Sequence, residues 1–112
     1  MQMHDADTVT SLMKTLADPT RRGVYEAIAR GDAPGVGELA RSFNVSQPAI
    51  SQHLKALRDG GLVSERREGR RVIYAAEPKA LAPLIDWIGV HAAFWRERFD
   101  NLESLLKEMD RD

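Results

Sequence analysis

The chain has 112 residues, of which 16 are Lys or Arg and 17 are Asp or Glu, and it contains no cysteine. This length predicts one domain, and the lack of cysteine excludes disulfides, thiolate metal sites, cysteine nucleophiles and thiol redox sensing. No apolar run approaches the ~18 residues of a membrane-spanning helix, and residues 1–5 lack the basic and apolar regions of a signal peptide, so we expect a cytoplasmic protein.

The apolar pattern of the first half of the chain predicts three short helices. The first covers about residues 6–17, and its core-facing residues, three or four positions apart, are Val9, Leu12, Met13 and Leu16. The second begins after Asp18-Pro19, an N-cap residue followed by a proline at the first helical position, and ends near Gly31. The core-facing residues of the second and third helices are Val24, Tyr25, Ile28 and Ala29, then Val36, Leu39, Ala40 and Phe43.

The middle of the chain predicts a tight turn and a fourth helix. Asn44 can adopt the left-handed conformation that ends a helix, and Ser46 suits the N-cap of the next one. This fourth helix covers about residues 46–58 and stops at Gly60-Gly61. Its core-facing residues are Ile50, Leu54 and Leu57.

The apolar period then changes to two, which predicts a β-hairpin. Its strands cover residues 62–67 and 70–75, and the turn lies at Glu68-Gly69, where glycine supplies a positive φ. A last helix is predicted over about residues 78–109, so the fold is mainly α with a small antiparallel hairpin. Its apolar stripe is long for a domain of this size and contains Leu81, Leu84, Ile85, Ile88, Ala92, Trp95, Phe99, Leu102, Leu105, Leu106 and Met109.

The third and fourth helices have the spacing of a helix-turn-helix. Ala40 lets the two helices approach closely, Asn44 makes the turn, and Ile50 packs the second helix onto the first. The opposite face of the fourth helix carries no acid, and its residues are Gln47, Pro48, Ser51, Gln52 and Lys55. Gln and Ser side chains can read base edges in a major groove, while Lys55 and the helix N-terminus at Ser46 can contact phosphates.

The net charge of −1 conceals an uneven distribution. Residues 46–74 carry three excess positive charges, whereas the segments before and after them are acidic. Four of the basic residues belong to the hairpin, namely Arg66, Arg67, Arg70 and Arg71. A wing of this kind can contact phosphates or enter a minor groove. We therefore predict binding to double-stranded DNA.

Several motifs together resemble the ArsR/SmtB-type bacterial transcriptional repressors. They are LADPTRR at 16–22, GELA at 37–40, SQPAISQHLKAL at 46–57, GLV at 61–63 and the Arg-rich wing that ends in Tyr74. The resemblance spans about residues 10–107 and implies a two-fold dimeric winged helix-turn-helix repressor, whose operator near its own promoter has two half-sites. It further implies that Gln47, Ser51 and Gln52 read bases, and that the first and last helices form the dimer interface.

The metal sites of many members of this family are missing from the sequence. Glu38-Leu39 is followed by Ala40-Arg41 where metal-sensing members have cysteine. On the last helix, Phe99 and Leu102 stand where zinc ligands would be. We therefore predict no metal and no other cofactor. The alternative is a zinc site shared across the dimer, although the spacing of its residues fits no known ligand pattern; they are His4, Asp86, His91 and Glu97.

The last helix has more apolar surface than one protomer can cover, which predicts a homodimer. The predicted interface residues are Leu12, Leu84, Ile88, Trp95, Phe99 and Leu102. In an alternative interpretation, Trp87, Trp95 and Phe99 line a pocket for a small apolar effector that releases the repressor from DNA.

Two further classes of function fit the sequence less well than DNA binding. A winged helix can dock another protein, but such a protein need not keep four arginines in its wing. Catalysis is disfavoured, because the sequence has no nucleophile-elbow glycines, no phosphate-binding loop and no paired acids. We therefore predict a regulator rather than an enzyme.

Overall fold

The chain folds into five helices and one two-stranded sheet, and the computed structural model describes residues 6–31 and 35–110. In chain order the elements are α1 (Ala6–Ala17), α2 (Pro19–Ala29), α3 (Val36–Phe43), α4 (Gln47–Asp59), β1 (Val63–Glu68), β2 (Arg71–Ala76) and α5 (Ala82–Met109). The predicted order of four helices, a hairpin and a long helix is confirmed.

Local hydrogen bonds fix the helix ends at the predicted residues. Asp18 Oδ1 accepts a hydrogen bond from the backbone N–H of Arg21 at 2.9 Å, which caps α2. Ser46 Oγ accepts one from the backbone N–H of Ala49 at 3.2 Å and caps α4. Asn44, with φ 54° and ψ 48°, ends α3 in the left-handed conformation. These short polar side chains therefore set the turn between α3 and α4.

The core joins α1 to α4 with the start of the hairpin. Its buried residues are Leu12, Val24, Ala27, Ile28, Leu39, Ala40, Ile50, Leu54, Leu57, Leu62 and Val63. The approach of α2 to α3 depends on Gly23, because a Cβ atom at this position would lie 2.5 Å from Cε1 of Phe43. The predicted packing of Ala40 and Ile50 in the helix-turn-helix is confirmed, since their exposed fractions are 7% and 0%.

Two predictions about helix faces are corrected. Ala29 is exposed and Ala27 is buried in its place, because the inward stripe of α2 runs through Val24, Ala27 and Ile28. Met13 lies at the solvent margin of α1. Leu12 faces the core as predicted and is only 5% exposed, while its place at the dimer interface stays a prediction. Its side chain therefore has little surface left for a second copy.

The hairpin turn lies one residue later than predicted, at Gly69-Arg70. In the antiparallel register, Glu68 lies opposite Arg71 and Val63 lies opposite Ala76. Gly69 has φ 65°, and among the described non-glycine residues a positive φ occurs at Asn44 alone. A two-residue turn with the positive φ at its first central residue follows the type II′ pattern, which places glycine there.

The last helix starts at Ala82, four residues later than predicted. Residues 78–81 form a turn in which the backbone N–H of Ala82 donates to the carbonyl of Lys79 at 3.2 Å, and Pro83 then lies in the first helical turn, where it is tolerated. All 28 residues of α5 are described and none is buried. The helix is about 42 Å long, and it helps to extend the protomer to 70 Å.

Candidate nucleic-acid interface

One face of α4 is free of the core and carries the predicted base-reading residues. Ile50, Leu54 and Leu57 hold the opposite face, with exposed fractions of at most 2%. The predicted contact residues of this segment are all exposed, namely Ser46, Gln47, Pro48, Ser51, Gln52 and Lys55. The helix therefore presents amides, hydroxyls and the backbone N–H of Gln47 on one open surface, since Pro48 has no N–H and that of Ala49 is bonded to Ser46 Oγ.

Arg58 belongs to the same face but was absent from the predicted set. It follows Ser51 by seven residues and Lys55 by three, so helical spacing alone could have identified it. Its Nη1 atom lies 2.7 Å from Oε1 of Glu65 on β1. The guanidinium is therefore engaged by the wing.

The face predicted to be free of acid ends at Asp59. Lys55 Nζ donates a hydrogen bond to Asp59 Oδ2 at 2.9 Å, and this bond is the main reason why the pKa of Asp59 lies below its usual value. Both side chains are more than half exposed, so a phosphate can compete for the lysine in water. The five predicted residues themselves include no acid, but the adjacent carboxylate partly neutralises the end of the face.

The four arginines of the wing do not form one surface. Side chains alternate along a strand, so Arg66 and Arg67 project from opposite faces. Arg66 Nη2 lies 3.7 Å from Glu68 Oε2. In the described part of the chain, Arg67, Arg70 and Arg71 make no ion pair. These three exposed guanidiniums are therefore available to an anionic partner.

The inner side of α4 lies near the start of α2. The pKa of Asp18 is lowered chiefly by the backbone hydrogen bond from Arg21 and further by the charge of His53. His53 is half-buried, and its Nδ1 atom has no hydrogen-bond partner among the described residues. His53 on α4 thus adds a smaller electrostatic contribution to the cap of α2.

A second feature is the apolar stripe of α5. Ile88, Trp95 and Leu102 are spaced by seven residues and Phe99 follows Trp95 by four, which is coiled-coil spacing. All four are about half exposed or more, from 49% at Ile88 to 62% at Phe99. Leu84 is half-buried against the core. The single protomer thus leaves most of the predicted interface residues uncovered.

The proposed effector and metal residues lie on open helix surface. The rings of Trp87 and His91 are in tilted contact, with centroids 4.4 Å apart, and both Trp95 and Phe99 are more than half exposed. In residues 6–31 and 35–110, no group of three or more His, Asp or Glu residues could hold a metal ion, and His4 lies outside the described residues. No helix in these ranges is long and apolar enough to cross a membrane.

Several known transcriptional regulators are similar in sequence to this chain. A family model described as a helix-turn-helix domain matches residues 16–66. The HTH-type transcriptional regulator Rv2034 of Mycobacterium tuberculosis is 49% identical over 71 residues, which are 63% of this chain and 65% of that protein. The transcriptional repressor SdpR of Bacillus subtilis is 32% identical over 80 residues, which are 71% of this chain and 88% of that protein.

Solved structures agree with these sequence matches. The crystal structure of the ArsR family transcriptional regulator RHA00566 has a TM-score of 0.71 and 25% identity, and the match covers 85% of this chain and 97% of that one. The homodimeric winged helix-turn-helix DNA-binding domain of Mb0332 from Mycobacterium bovis has a TM-score of 0.59 and 28% identity. That match covers 83% of this chain and 91% of the fragment.

Proposed function

The chain belongs to the ArsR family of winged helix-turn-helix transcriptional regulators, and we propose that it represses transcription as a homodimer bound to a DNA operator. The family is a class of DNA-binding regulators rather than of enzymes, and we propose no catalytic role. A regulator bound to bacterial DNA works in the cytoplasm, which is the location we propose.

The observation that carries this proposal is the open face of α4. Three apolar side chains hold the helix rigidly against the core, while Gln47, Ser51 and Gln52 face solvent. An α-helix fits the major groove, where glutamine can bond adenine through two atoms and serine can bond either kind of base edge. We assign base reading to these three residues. We assign phosphate contacts to the N-terminus of α4 at Ser46 and to Lys55, and a packing contact with the DNA beside them to Pro48, which has no N–H to donate.

We assign the wing to the DNA backbone or the adjacent minor groove. Arg67, Arg70 and Arg71 have no ion pair in the described part of the chain, and Arg66 has a long one that a phosphate can replace. Guanidinium groups bind phosphates through paired hydrogen bonds and are drawn to narrow minor grooves. These arginines add affinity for any duplex, whereas α4 adds the preference for sequence.

We propose that α5 forms most of the dimer interface. Its stripe has coiled-coil spacing, and a symmetric partner would cover it with the same residues, namely Leu84, Ile88, Trp95, Phe99 and Leu102. The Mb0332 domain, of similar fold, is described as homodimeric. A two-fold dimer presents two α4 helices, which would bind half-sites about one helical turn, or roughly 34 Å, apart.

Substitution of the base readers tests this assignment. Gln47→Ala or Gln52→Ala should weaken binding to DNA from upstream of the chain's own gene by about 1–3 kcal/mol, and random DNA should be affected less. Arg70→Ala is the control, because removal of a wing arginine should weaken binding to both duplexes equally. Equal weakening on both duplexes for the glutamine variants would contradict base reading. Complete absence of DNA binding would favour the protein-docking alternative.

A further inference from the structure

The direction of the wing depends on how the hairpin is attached to the helices. At its base, Leu62 and Val63 are buried in the core, and Tyr74 and Ala76 pack against it. Toward the tip, every residue from 66 to 72 is exposed. The part of the wing that carries the arginines therefore has no apolar packing that sets its angle to α4.

The ion pair between Arg58 and Glu65 lies where this packing ends. It joins the last turn of α4 to β1 with a distance of 2.7 Å between Nη1 and Oε1. Glu65 lies directly opposite Tyr74 in the sheet. Burial raises the pKa of the Tyr74 phenol, and the charge and hydrogen bonding of the Glu65 carboxylate add to this effect. One carboxylate thus faces a cation of the helix and a phenol of the neighbouring strand.

We propose that Glu65 is a positioning residue that holds Arg58 and thereby fixes the angle between the wing and α4. Arg58 then serves as a strut and not as a phosphate ligand, although it lies on the DNA-facing side of α4. A wing held at one angle loses less conformational freedom when both elements contact the same duplex, which increases affinity. This inference rests on the proposed function, because the angle matters only if the wing and α4 bind one DNA segment.

If Glu65 acted only through its negative charge, its removal would strengthen DNA binding, whereas removal of a positioning residue would weaken it. An acid close to DNA repels phosphates, and its removal would free Arg58 to bind one, so binding would tighten and depend more steeply on salt. If Glu65 positions the wing, its removal lets the wing adopt other angles. Binding would then weaken, and the salt dependence would become shallower because the wing arginines would neutralise fewer phosphates.

The test compares Glu65→Gln with Glu68→Gln on a random-sequence duplex over a series of salt concentrations. Both variants remove one exposed wing carboxylate, but Glu68 contacts Arg66 within the wing and not α4. We expect Glu65→Gln to bind roughly fivefold more weakly, with a salt slope lower by about 0.9 for each phosphate that the wing no longer neutralises. Glu68→Gln should bind at least as tightly as the wild type.

Unchanged or tighter binding by Glu65→Gln, with normal wild-type binding, would overturn the positioning role alone. A wild-type protein without salt-dependent binding would instead contradict the proposed function and this inference with it. The two failures are therefore distinguishable.

A distance measurement tests the same role without DNA. The chain has no cysteine, so Ala29→Cys and Arg70→Cys, both at exposed positions, allow spin labels on α2 and on the wing tip. Labelled protein is diluted with unlabelled protein so that each distance comes from one protomer. The distance distribution should broaden with Glu65→Gln and stay narrow with Glu68→Gln. Equal widths in the two variants would overturn the proposal.

Discussion

Arg66 and Arg67 are adjacent in the chain, yet their side chains leave opposite faces of the wing, because Arg66 lies opposite Ile73 and Arg67 lies opposite Val72. Arg67 shares its face with Glu65, whose carboxylate contacts α4 through Arg58. Arg66 shares its face with Glu68, which lies 3.7 Å away. The arginine on the α4 side of the wing is therefore the one without an acidic partner.

This asymmetry predicts different effects for two neighbouring substitutions. Arg67→Ala should weaken binding to any duplex and lower the salt slope by about 0.9 for each phosphate that the variant no longer neutralises. Arg66→Ala should have a smaller effect on both quantities, since it removes an arginine that is already paired. Anisotropy titrations at several salt concentrations measure both variants, and equal weakening would contradict the assignment of faces.

The apolar stripe of α5 predicts that one charged substitution within it prevents dimerisation. Trp95→Glu places a carboxylate in the middle of the proposed interface, where burial without a partner is costly. We expect a monomeric mass by light scattering at micromolar concentration. Val90→Glu is the control, because Val90 is equally exposed on α5 but lies off the stripe. A dimer that survives Trp95→Glu would contradict the assigned interface.

The contact between α2 and α3 predicts opposite effects for two glycine substitutions. Gly23→Ala brings a methyl group to 2.5 Å from the ring of Phe43, which is packed against the core, and should destabilise the protein by about 1–3 kcal/mol. Gly37→Ala meets its nearest side-chain atom at 3.5 Å and should stabilise α3 by up to roughly 1 kcal/mol. Urea unfolding distinguishes these outcomes. A decrease in stability in Gly37→Ala as large as that in Gly23→Ala would contradict a specific clash.

The lowered pKa of Asp18 predicts a pH-dependent contribution to the free energy of unfolding. Its pKa is below 3.8 in the folded protein, mainly because the carboxylate accepts the backbone hydrogen bond from Arg21. The ionised form therefore favours folding above the unfolded pKa, and this contribution is lost as the pH falls through the folded value. Asp18→Asn removes the charge, so the wild type should unfold at a higher temperature at neutral pH. The gap should shrink as the pH falls below the ordinary aspartate pKa of about 3.9, and a constant gap would contradict this cause.

Much of the fold could be predicted because local rules and tertiary packing agree in this chain. Asp18, Asn44 and Ser46 define helix ends by their own hydrogen bonds or backbone conformation, and the stripe of Ile50, Leu54 and Leu57 shows which side of α4 faces outward. Leu12 was predicted both in the core and at the interface, and only its place in the core is confirmed. An apolar stripe does not indicate whether its own protomer or a second copy covers it.

The site was less predictable where it depends on contacts between elements. The pair formed by Lys55 and Asp59 has a four-residue helical spacing that the sequence already displays. The contact of Arg58 with Glu65 crosses from α4 to β1, so its existence depends on how the hairpin leaves Gly60-Gly61. Periodicity within each element carries no information about that angle.

The most direct test is fluorescence anisotropy of the purified protein on DNA from upstream of its own gene, against a scrambled duplex of equal length, without added metal. We predict nanomolar binding to the upstream DNA, with a preference of at least roughly a thousandfold over the scramble. Equal and weak binding to the two duplexes would contradict an operator at this position that the metal-free protein recognises by sequence.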